Sequence, residues 1–211
     1  MTRTLISTFL IFCFYSLTAQ SIDTRINKKI DSLRNIGVDT FLVYHINCVG
    51  SIIISNDKCT ITETKFLWWT QMSATYVQIF DNCYSYSVIK NDTLKSLTFY
   101  INNKYQIDNE TIKQAENRKV ISYKRNGKKY KREEVRYSTV DHSCHDIFKF
   151  MVDTTIITKD CDNYDLQFKQ FDDGLPNTNW EYNQATKLKV LIDIINKETA
   201  DLKKIFTEHR Q

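Results

Sequence analysis

Ile22, Ile26, Ile30 and Leu33 recur every three or four residues, and at Thr40 that period stops. The first pattern places one apolar stripe along a helix, and Gly37 is suited to the left-handed position that closes it. From Thr40 onward the runs are β-branched and aromatic and their period falls to two. That requires an extended chain whose successive side chains point to opposite faces.

The extended runs come in pairs. "TFLVYHINC" and "SIIIS" read as strands. "TKFLWWTQ" and "TYVQIFD" form a hairpin around "MSA", and "YSYSVIK" and "SLTFYIN" flank the turn-prone "NDTLK". "KVISYKR" and "KKYKREEVRY" meet at Asn126-Gly127, the dipeptide best suited to a type I′ turn because both central residues need positive φ. In that register Tyr123 faces Tyr130. "DIFKFMVD" is a further strand. Helical spacing returns at Thr186–Phe206 with Leu188, Leu191, Ile192, Ile195, Leu202 and Phe206 on one stripe. Its start is open, since Thr178 with Glu181 has capping-box spacing and Asn183 suits a shorter helix. The fold class is α+β: an antiparallel sheet of several hairpins, with an N-terminal and a C-terminal helix against one face.

The first residues read as a secretory leader. Arg3 precedes the apolar run Leu5–Leu17, and the small residues of "TAQS" follow, which predicts cleavage near Ala19 or Gln20. The run is shorter than the roughly 20 residues a membrane span requires. Cys13 follows the bulky Phe12 and does not suit lipid attachment. Residues 1–20 are thus expected to be a signal peptide and 21–211 one α+β domain, exported to the periplasm or beyond, with no membrane span after cleavage. Without Arg3 the chain has 28 basic and 25 acidic residues, an overall balance that implies no polyanion partner, nucleic acid included. "KFLWWTQMSATYVQIFDNC" and "FDDGLPNTNWEYNQATKLKVLIDII" resemble segments of small uncharacterised secreted proteins of Gram-negative bacteria. That resemblance implies export and brings no activity with it.

Export decides how the cysteines are read. Five remain after the leader: Cys48, Cys59, Cys83, Cys144 and Cys161. In an oxidising compartment they are disulfide candidates, and an odd number leaves one thiol over. Cys144 with Cys161 is the expected bridge, because the intervening residues can form a strand, a turn and a return strand. Cys48, Cys59 and Cys83 would then supply one bridge and one spare.

"DHSCHDIF" (Asp141–Phe148) concentrates reactive side chains. His142, Cys144 and His145 are ligand types that zinc accepts, but a strand sends His145 to the opposite face from the other two, and no second cluster completes a tetrahedral set. No metal or other cofactor is expected. A thiol enzyme would need a histidine held against Cys144, either His142 or His45 brought in by the fold. "DCDNYD" (Asp160–Asp165) lacks the glycine and glutamate of a calcium loop. Lys124, Arg125, Lys128 and Lys129 gather positive charge at a hairpin tip, where they either meet an anionic partner or keep an edge from aggregating. Trp68 and Trp69 are adjacent, so a strand turns one outward as a candidate ligand contact unless a helix covers it. The sequence thus points to an exported, non-enzymatic binding module whose partner is an envelope or extracellular protein or glycan. The alternative is a secreted hydrolase or thiol enzyme using Cys144 with a histidine.

Overall fold

The computed structural model describes residues 21–50, 61–83, 88–90 and 94–208. The expected leader, the "SIIIS" strand, most of "YSYSVIK", Cys59 and His209 lie outside them. The chain is α+β. In order it forms α1 (Ile22–Arg34), β1 (Thr40–Cys48), β2 (Thr64–Gln71), β3 (Ala74–Asp81), β4 (Ile89–Lys90), α2 (Ser96–Asn102) and α3 (Lys104–Asn109). Then follow β5 (Glu116–Arg125), β6 (Lys128–Tyr137), β7 (Cys144–Val152), β8 (Thr155–Asp162), α4 (Asn163–Gln167), α5 (Trp180–Ala185) and α6 (Lys187–Glu208). Six strands make one antiparallel sheet in the order β4-β3-β2-β1-β7-β8, and β5 and β6 make a separate two-stranded ribbon.

Helix α1 begins where the Ser21 hydroxyl accepts the Thr24 N–H at 3.2 Å. It ends in a Schellman arrangement, with the Val38 N–H on the Leu33 carbonyl, the Gly37 N–H on the Arg34 carbonyl, and Gly37 at φ +82°. Its stripe of Ile22, Ile26, Ile30 and Leu33 packs with Phe41, Val43, Leu67, Trp69, Phe80 and Met151. The opposite sheet face, with Leu42, Tyr44, Trp68, Val77, Phe148 and Phe150, packs under α2, α3, α4 and α6.

The helices therefore cover both faces of the sheet, which corrects the expectation of one. The physical sign is in the strands: Phe41–Tyr44 and Phe66–Trp69 are buried without alternation, as happens when both faces are covered. "SLTFYIN" is helix α2, not a strand. Leu97 and Tyr100 are one turn apart and fully buried, and Tyr100 stacks on Phe150. The Glu198 carboxylate accepts the Lys95 and Ser96 N–H groups at the start of α2. Helix α6 is capped by Thr186, whose hydroxyl accepts the Lys189 N–H at 3.1 Å. Asn183 and Thr178 serve elsewhere. The fully buried Asn183 amide bridges Lys113 and Asp165, and Thr178 donates to the Glu116 carbonyl.

Candidate functional site

Cys144 is bonded to Cys48, not to Cys161. The β7–β8 hairpin forms as expected, but its register sets Cys161 opposite Asp146, one pleat beyond Cys144. The β1–β7 register makes Cys48 and Cys144 direct partners, with Cα atoms 3.9 Å apart. Cys161 is a buried free thiol, and burial pushes it up to about 12. Cys83 is also disulfide-bonded. The sulfur proposed as a nucleophile is thus held in a bond. Neither histidine pairs with it: His45 sits on the opposite sheet face, and the His142 ring lies against Gly50 in the bend before β7. A Cβ at Gly50 would come within 2.2 Å of His142 Nδ1, so this loop and the Asp141–Ser143 bend fit closely. Among the described residues no three His, Cys, Asp or Glu side chains are grouped to hold a metal.

What "DHSCHDIF" does present is on the other face. His145 Nδ1 is 2.7 Å from Asp160 Oδ1, and its Nε2 is 3.2 Å from Ser143 Oγ. Asp162 Oδ2 stands 3.9 Å from Nε2. The Asp160 carboxylate raises the pKa of His145 above its ordinary value. His45, nearby on β1, is shifted the other way by burial and by Lys65. Ser143 and Asp160 could not be assigned as partners from sequence, because the link depends on the β7–β8 register. The spacing of Ser143 and His145, two apart on one face, was the available signal. The remaining acids of "DCDNYD" have structural work: Asp162 caps α4 and Asp165 accepts the Ala115 N–H.

Trp68 and Trp69 are 0% and 2% exposed, so neither can stack on a ligand at the surface. Trp69 lies under α1, stacked on Tyr76.

The tip residues lie on the most exposed element of the structure. Beyond Asn117 the ribbon is open on both faces, with Val120 66% exposed and Tyr123 and Tyr130 near half. Asn126 and Gly127 have φ of 51° and 75°, and Tyr123 stacks on Tyr130 with centroids 5.6 Å apart. The register brings Lys124 opposite Lys129 and Arg125 opposite Lys128. Residues 116–137 hold nine basic and three acidic side chains, a net +6 on a chain totalling +4. The acids sit toward the base, where Glu116, Glu133 and Glu134 pair with Arg118, Lys119 and Arg132. Among the described residues none forms an ion pair with Lys124, Arg125, Lys128, Lys129 or Lys131.

One ribbon face carries Asn117, Lys119, Ile121, Tyr123, Arg125, Lys128, Tyr130, Arg132, Glu134 and Arg136, with Glu134 opposite Lys119 its one acid. At its foot these meet Asp173 and Leu175 around a cavity of about 260 Å³. The foot is firmly attached. Asn117 donates to the Pro176 carbonyl, Thr178 N–H to the Glu116 carbonyl, and Arg136 pairs with Asp173 while lying over the Phe171 ring. No protein-family model, curated protein or solved structure matches the chain.

Proposed function

We propose that the protein is an exported binding module that holds an anionic envelope or extracellular glycan along its β5–β6 ribbon. The observation carrying this reading is the segregation of charge: the ribbon's net +6 stands on residues that together sum to −2. A ribbon kept only for solubility does not require such segregation, and like charges directly across a ladder are mildly destabilising. A polyanion offsets that repulsion. The stacked tyrosines beside the basic pairs of the tip add flat apolar surface of the kind a sugar ring packs against. Export is supported by the leader-like N-terminus and by the Cys48–Cys144 bond, since disulfides persist in oxidising compartments. No helix among the described residues is long and apolar enough to cross a membrane.

The test is binding to immobilised carboxylated or phosphorylated polysaccharide, measured by biolayer interferometry with an uncharged polysaccharide and duplex DNA as comparators. Binding should weaken as salt is raised to about 0.15 M, where screening acts within roughly 8 Å. It should be lost when Lys124, Arg125, Lys128 and Lys129 are all changed to Glu. Unchanged binding by that variant, or equal retention on the uncharged matrix, overturns the proposal. Retention on DNA equal to that on glycan reduces the ribbon to a general polyanion binder and overturns the glycan assignment.

A further inference from the structure

Ser143, His145 and Asp160 stand in the order that nucleophilic acyl transfer uses. Asp160 lies on Nδ1 of the imidazole at 2.7 Å and Ser143 Oγ on Nε2 at 3.2 Å. With a proton on Nδ1 donated to Asp160, Nε2 is left to accept the Ser143 hydroxyl proton. Three features hold Ser143 in place. Its carbonyl accepts the Val49 N–H at 3.2 Å, the next residue is tied to Cys48, and the bend before it rests on Gly50. The Ser143 N–H has no acceptor among the described residues, so it is free to donate to an oxyanion formed beside its own side chain.

We infer that Ser143 is the nucleophile of a hydrolytic site for short O-acyl esters, with His145 as its base and Asp160 as a positioning residue. Ser143 Oγ bonds to the ester carbonyl carbon while its proton passes to His145 Nε2. The bond to the alcohol oxygen then breaks, and that oxygen takes the proton from Nε2. Water attacks the acyl-serine carbon, gives its proton to Nε2, and Ser143 leaves with that proton as the hydroxyl. Ester and water become acid and alcohol, and nothing is oxidised or reduced. Asp162, 3.9 Å from Nε2, favours the imidazolium formed between the steps. Ser143 is half-buried and Asp160 is open to solvent, so the site is shallow and suits a short acyl group on an alcohol or sugar. This inference does not rest on the ribbon.

The carboxylates facing His145 are Asp160 and Asp162 from β8 and Asp165 from α4, and Asn47 lies opposite it on β1. Turnover should therefore rise with pH through a titration above 6.5. Asp160→Asn should move that rise to lower pH and reduce the plateau by about 100-fold or more.

The experiment treats the oxidised protein with a fluorophosphonate probe and with p-nitrophenyl acetate. The expected result is a phosphonyl adduct mapped to Ser143, and ester turnover that falls to the uncatalysed rate in Ser143→Ala and in His145→Gln. Each variant is accepted only if its Cys48–Cys144 bridge and circular dichroism match the parent. An adduct absent from Ser143, or turnover equal in parent and variants, overturns the inference. A second readout needs no variant. ¹⁵N NMR of His145 should show the Nδ1–H tautomer above its pKa, and a dominant Nε2–H tautomer contradicts the relay.

Discussion

The β2–β3 hairpin reverses through Met72 and Ser73 with φ of 50° and 65°, and the β5–β6 ribbon through Asn126 and Gly127 with 51° and 75°. Both are two-residue turns with positive φ at each central position. The first pair of strands carries Trp68 and Trp69 into two separate cores, while the second stands in solvent on both faces. Neither Met nor Ser favours the left-handed region, so in β2–β3 packing imposes the turn. In the ribbon no core is available, and turn chemistry with the stacked tyrosines must hold the strands. A lone two-stranded hairpin is marginal in water. Its hydrogen bonds to Pro176 and Thr178 keep it attached.

Trp68→Ala should break the packed hairpin with a loss of about 4 kcal/mol, as expected for a large aromatic removed from a closed core. Chemical denaturation measures it, and a loss under about 1 kcal/mol would contradict the account of the two-faced core. Cys48→Ser with Cys144→Ser should cost about 4 kcal/mol, because the bond closes a loop with a sequence separation of 96 residues. Met72→Asn with Ser73→Gly should raise stability by about 1 kcal/mol by relieving the left-handed cost.

Gly127→Ala should cost the ribbon about 1 kcal/mol at φ 75° and leave global unfolding within about 0.5 kcal/mol. Hydrogen exchange in β5 and β6 against the body separates the two. A matching fall in the global Tm would show that the ribbon and the sheet unfold together. The smallest effect is pH dependence. The raised pKa of His145 contributes stability that is complete below about 6.5 and is lost as pH rises through its folded value. The lowered pKa of His45 acts oppositely, removing stability as pH falls through 6.5. His145→Gln should remove only the first slope in unfolding curves taken between pH 6 and 8.

The same contrast explains what could be read from residues alone. Asn126-Gly127, the Tyr123–Tyr130 pair and the crowded basic tip are local, and the ribbon follows them in register. Both long helices follow their stripes. The β-branched and aromatic residues of "SLTFYIN" favour a strand, but burial of Leu97 and Tyr100 against α6 and β7 selects a helix. The Cys48–Cys144 pairing depends on how β1 meets β7 across 96 residues, which no local pattern encodes. Asp160 reaches His145 through the β7–β8 register in the same way. The covering of both sheet faces was written in the unbroken apolar runs "FLVY" and "FLWW", where a half-exposed strand would alternate.

The most direct test of the central claim is chemical-shift mapping of the ¹⁵N-labelled protein with a carboxylated oligosaccharide at low salt. Perturbations are expected along Lys119, Ile121, Tyr123, Arg125, Lys128, Tyr130 and Arg132, fading as salt is added. Perturbations confined to the helical layer, or none on the ribbon at concentrations that saturate binding, would contradict that claim.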